Sequence, residues 1–253
     1  MRLGINLDYA RRIAKTGAML QIGLLVFDYV WILVRFVIFN TTFKNRPIPQ
    51  RFLTLDNLIT NLLFTSLLLI FSVGVILIGL YYIKKSQFGI IAGIFLAATL
   101  GIKIAFIFFR FIQLITESYE GYMEMTFHLF ELSTAMLFMS SFILYDIFLI
   151  QLQKREGIGY GGSFFPYLYV LFGLIFPIAN LLAIIGVPFW ENRIVLAIME
   201  TITLIAGILE IIVYFDFIRR TDQLKPEAQE ETQTEQTSES PQMQKKEQIV
   251  EIA

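Results

Sequence analysis

Glu124, His128 and Glu131 recur at i, i+4 and i+7, which places an imidazole and two carboxylates on one face of a helix. Such a set can exchange a proton, the imidazole acting as base and a carboxylate as its partner. It could also offer two or three ligands to a metal, for which the carboxylates suit iron or manganese better than zinc. Zinc hydrolases usually take two or three His ligands, and His128 is the only histidine in the chain. The twin Glu-x-x-His pairs of di-metal bundles are absent as well. We therefore expect no metal and no cofactor, and we read Glu131 and His128 as a proton-exchanging pair.

The stretch that carries them, Met123–Ile150, is apolar enough to lie in a bilayer. Ionisable groups at that depth are costly unless they face protein or water, so they mark candidate functional sites. The rest of the chain is of the same character. Its 253 residues are 56% hydrophobic and 16% charged, with a mean hydropathy of +0.66. Soluble domains run nearer 45–50% apolar and about 25% charged. A net charge of −1 gives no reason to expect a nucleic-acid partner. The absence of Cys excludes disulfides, iron–sulfur clusters and thiol nucleophiles.

The elements that must position these groups follow from the apolar runs. A basic leader, residues 1–18, carries Arg2, Arg11, Arg12 and Lys15 against Asp8 alone. Six spans are predicted at about Met19–Phe39, Asn57–Ile83, Phe88–Phe111, Met123–Ile150, Phe164–Pro188 and Ile194–Ile218. Each reaches the ~20 residues needed to cross ~30 Å of hydrocarbon. The first run is too long for a signal-peptide core and is followed by no small-residue cleavage site, so it reads as an uncleaved helix. The fold class is thus an all-α integral membrane protein, a bundle of six transmembrane helices within residues 19–220. Residues 221–253, rich in Gln, Glu, Ser and Thr, read as a disordered tail, with a cytoplasmic docking partner for its end as the sharper alternative.

Lys and Arg in the loops set the orientation. The leader, Lys84, Lys85, Lys154, Arg155, Arg219 and Arg220 share one side, which predicts both termini in the cytoplasm. The loop of residues 40–56, with Lys44, Arg46 and Arg51, argues the other way. Its Asn40-Thr41-Thr42 matches a glycosylation acceptor but abuts the membrane and reads as coincidence. Tyr81, Tyr82, Tyr119, Tyr122, Tyr167 and Trp190 lie near span ends, as an interfacial belt would.

Counting from span midpoints at ~1.5 Å per residue places Lys103 ~6 Å outward, and Arg35, Glu131 and Glu200 ~9 Å outward. His128 lies one turn further, and Asn180, Thr65 and Ser66 at comparable depth. Six helices thus offer a polar group to one slab, with two cations and two carboxylates among them. Two readings compete: interhelical ion pairs that fix packing, or a water-accessible pocket for a small polar or anionic ligand. Asp28, Glu210 and Asp146 continue the series inward as candidates for a proton path. Lys84, Lys154 and Arg219 are the cations expected near Asp146 and Asp216.

Gly89, Gly93, Ala97 and Gly101 form a small-residue stripe for close helix packing. Pro177 removes a donor in mid-span and frees the Gly173 carbonyl, giving a kink or hinge one turn before Asn180. No nucleotide-binding or hydrolase motif is present. The leading expectation is a small transporter or ligand sensor using Lys103, Glu131, His128 and Glu200, with Arg35 and Asn180 in support. The alternatives are a non-catalytic scaffold or complex subunit, and an intramembrane enzyme acting on lipid with His128 as base.

Overall fold

The structure, a computed structural model, describes residues 5–38, 50–116, 121–157, 162–184 and 193–225. Every regular element among them is a helix: α1 (Leu7–Ile38), α2 (Gln50–Tyr81), α3 (Phe88–Thr116), α4 (Gly121–Glu156), α5 (Phe165–Gly173), α6 (Ile175–Ile184) and α7 (Arg193–Thr221). With α5 and α6 counted as one segment, six are long and apolar enough to cross a membrane. The unit that contains them runs to Gln223; a second unit begins at Leu224, of which only residues 224–225 are described. The tail from residue 226 onward, the sequon at Asn40, Trp190 and most of the Gly157–Gly162 connector lie outside the described residues.

Local chemistry sets several helix ends. The Asn6 side chain accepts from the backbone N–H groups of Asp8 and Tyr9, at 2.9 and 3.2 Å, and so caps α1. α1 therefore begins inside the basic leader, and its long apolar stretch is Leu7–Trp31. Gly157 follows α4 at φ 63°, the left-handed conformation that glycine adopts without a Cβ penalty. Its N–H closes on the Gln153 carbonyl at 2.9 Å. The fifth span is interrupted at Leu174, three residues before Pro177, where the missing amide cannot bond the Gly173 carbonyl.

The helices form a closed ring. α1 packs on α2, α2 on α3 and α3 on α4; α4 meets α5 and α6, both of which pack on α7, and α7 returns to α1. Small residues permit the tightest approaches. A Cβ on Gly17 would fall 2.5 Å from the Phe71 backbone, and one on Gly79 would fall 2.5 Å from the Gly89 carbonyl carbon. Of the α3 stripe, Gly89 and Gly93 meet α2, whereas Ala97 is exposed and Gly101 borders open space.

The ring's interior is filled by aromatic side chains. Phe71 on α2 meets Tyr214 and Phe217 on α7, with ring centroids 5.4 and 4.9 Å apart, and Phe142 on α4 at 6.0 Å. Phe138 and Tyr169 extend the cluster to α5. Edge-on packing of this kind adds to the contact energy of the rings. Tyr82 joins the interior too, fully buried against Phe148, so it does not serve as a belt residue.

Candidate functional site

Two polar clusters interrupt this interior. The first is centred on Lys103 of α3 and Glu210 of α7. Lys103 Nζ donates to Asn61 Oδ1 of α2 at 3.0 Å and lies over the rings of Phe64 and Phe106, at 5.3 and 5.7 Å. An ammonium over an aromatic face is held by the ring quadrupole. Glu131 and Glu210 are within electrostatic reach of it, yet among the described residues no carboxylate stands at ion-pairing distance. Glu131 pairs instead with His128 Nδ1 at 3.3 Å, one turn away on α4. Both side chains are part-exposed, and the sequence-derived i, i+3 spacing produces the contact directly.

Glu210 accepts a hydrogen bond from the Tyr169 hydroxyl of α5. Tyr214 lies one turn along α7, fully buried, with its hydroxyl within electrostatic reach of Glu210 and without a hydrogen-bond partner. From α1, the Tyr29 hydroxyl reaches the same region by packing directly on Gly207, where any side chain would collide with it. Groups of α1, α2, α3, α5 and α7 therefore meet in this cluster. Gln21 of α1 is fully buried nearby along α2: its Nε2 donates to the Phe64 carbonyl at 3.1 Å, while its Oε1 has no partner.

The other expected residues are placed as follows. Glu200, on α7, is exposed. Asn180 is half-buried on α6, and Asp28 half-buried beside Tyr29. Thr65 and Ser66 donate to their own helix, to the carbonyls of Asn61 and Leu62 at 2.6 and 2.8 Å. The side chains of Arg35 and Glu124 lie outside the described residues. Thus Lys103, Glu131, His128 and Glu210 are gathered.

The second cluster sits at the end of the bundle that carries the Lys and Arg pairs, about 15 Å along α7 from Glu210, with the aromatic layer between. Asp146 of α4 is completely buried, and both terminal nitrogens of Arg220 reach its Oδ1, at 2.5 and 2.6 Å. The backbone N–H of Ser163 donates to the same oxygen at 2.8 Å, and the Tyr167 hydroxyl stands 3.4 Å from Oδ2. Arg220 Nε faces Asp216 at 3.3 Å, close enough to pair but not aligned as a hydrogen bond. Arg219 takes the other Asp216 oxygen at 3.2 Å. The partner of Asp146 is thus Arg220, where the sequence suggested Lys84, Lys154 or Arg219. Asp146 thus sits in a charge-assisted fork with Arg220.

The residues that sequence reasoning passed over are Tyr29, Tyr169, Tyr214, Gln21, Asn61 and Arg220. The signal available for the first was Gly207, a glycine inside an apolar helix, which marks a close approach. With this geometry set out, the class is an all-helical ring of six potential spans enclosing a charged centre. No protein-family model, curated protein or solved structure matches the chain.

Proposed function

We propose that this is an integral membrane protein, its termini in the cytoplasm, that transports or senses a small anionic or polar ligand at Lys103. The observation that carries the reading is the environment of the ammonium. A lysine within a span normally meets a carboxylate; Lys103 meets one neutral amide and two ring faces. An ammonium has three donors, and Asn61 takes one. The remaining capacity suits a carboxylate or phosphate group. His128 and Glu131, paired on the neighbouring helix, are the groups that would exchange a proton as the ligand enters.

Because the chain has no Cys, single thiols report accessibility without background. Asn61→Cys and Glu131→Cys should react with a membrane-impermeant thiol reagent in folded protein, and millimolar phosphate or acetate should slow the reaction. The Lys103→Met background should lose that protection. Unreactive thiols in folded protein would reject an open pocket. They would favour a scaffold or complex subunit, the reading supported by the aromatic filling of the ring.

A further inference from the structure

Glu210 differs from the ion-paired carboxylates of the bundle. Asp146 and Asp216 are held by guanidinium groups and Glu131 by His128. Glu210 meets the Tyr169 hydroxyl, and among the described residues no cation stands at ion-pairing distance from it. The groups that face it from the packed elements are Tyr29 of α1, beside which lies Asp28, Lys103 of α3, Tyr169 of α5 and Tyr214 of its own helix. α4 adds Glu131 beyond Lys103, paired to His128, and α2 contributes the neutral amide Asn61 to Lys103.

We propose that Glu210, with the hydroxyls of Tyr169 and Tyr214, is a proton-binding site at the centre of the bundle, coupled electrostatically to Lys103. The chemistry of the phenol supplies the argument. A hydroxyl both donates and accepts. When Glu210 is ionised it accepts from Tyr169 and can accept from Tyr214; when it is protonated, its O–H can be received by a tyrosine oxygen. In either state the carboxyl finds a hydroxyl partner, whereas a guanidinium partner would satisfy only the ionised one. Tyr214 is the second, independent sign of the site: its hydroxyl is fully enclosed, lies in reach of Glu210 and has no partner, a condition buried hydroxyls rarely tolerate unless something else binds there. Gly207 completes the arrangement by admitting Tyr29 against the α7 backbone one turn before Glu210. The step is a plain proton transfer: the O–H bond of the acid breaks, the electron pair stays on the carboxylate, and the proton leaves to water, so no further reactant is needed. This deepens the reading of Lys103 by naming the ion that accompanies its ligand, but the proton site can stand without that reading.

The test is infrared spectroscopy of the purified full chain, following the carbonyl stretch of protonated carboxylic acids through a pH titration. One such band should titrate in the wild type and vanish in Glu210→Gln. Tyr214→Phe and Tyr169→Phe, which keep the rings, should shift its frequency; Tyr167→Phe, beside Asp146, should not. Lys103→Met should move its pH midpoint. A wild-type titration unchanged in Glu210→Gln would overturn the proposal. If that variant does not fold, an unshifted band in both Tyr214→Phe and Tyr169→Phe would overturn it equally. An unmoved midpoint in Lys103→Met would overturn the coupling. Because the readout needs no ligand, a titrating Glu210 beside an unreactive Asn61→Cys would sink the transport reading alone.

Discussion

Replacing Arg220 by Met should be among the most damaging single substitutions in the bundle. The change removes both charged donors from Asp146, whose side chain is 0% exposed, against 5% for Arg220. What remains to the carboxylate is the Ser163 N–H and a distant Tyr167 hydroxyl, both neutral. Breaking a buried pair by removing one partner costs about 3–5 kcal/mol, and the two surviving donors place the expectation near the lower end, about 3 kcal/mol. That is roughly a hundredfold in the folding equilibrium. Lys15 and Asp222 form the natural control. They are as close, at 2.5 Å, but 29% and 51% exposed, and such pairs contribute only about 0.2–1 kcal/mol. Reversible unfolding in mixed micelles should therefore separate Arg220→Met from Lys15→Met by about 2 kcal/mol or more. Adding Asp146→Asn to Arg220→Met should recover much of the loss, because the amide oxygen still accepts from Ser163 and no charge is stranded. Equal stabilities for the two single variants, or a double variant as weak as Arg220→Met, would refute the reasoning.

Two further outcomes follow from packing. Gly207→Ala should cost about 1–3 kcal/mol by expelling the Tyr29 hydroxyl, and combining it with the shorter Tyr29→Leu should restore part of that stability in the same unfolding assay. Phe71→Ala should cost about 3–5 kcal/mol, since the ring is 1% exposed and bridges α2 to α4 and α7. Val73→Ala, on the outward face two residues on, should cost less than about 1 kcal/mol by the same measurement.

The six long apolar segments were legible because each is encoded locally, by run length. So was the break before Pro177, whose cause is the missing amide on the same helix. The Glu131–His128 contact was legible for the same reason, since three residues apart on a helix are neighbours. What could not be read was which faces meet. Arg219 and Arg220 differ by one position, but one step turns a helix by about 100°. That rotation sends Arg220 inward to Asp146 and leaves Arg219 on the surface, with its side chain 69% exposed. The tyrosines around Glu210 escaped notice because a phenol in an apolar run looks like packing. Only the ring closure of α1, α5 and α7 turns their hydroxyls toward one carboxylate. Glu200 shows the converse: depth along the sequence put it level with Glu131, yet its side chain is exposed.

The Asp146–Arg220 fork also bears on how the protein is made. Its two halves are 74 residues apart, so α4 is synthesised well before its counter-charge exists. Until α7 emerges, Asp146 lacks its guanidinium and the ring is open between α1 and α5. α7 then supplies Arg220, brings Asp222 to Lys15, and delivers Glu210 and Tyr214 to the centre. Neutralising the buried aspartate, closing the bundle and completing the proton site are thus one event in biogenesis. An α7-less nascent chain carries an uncompensated carboxylate on α4 that marks it, to any quality-control machinery that surveys charge among apolar helices, as unfinished.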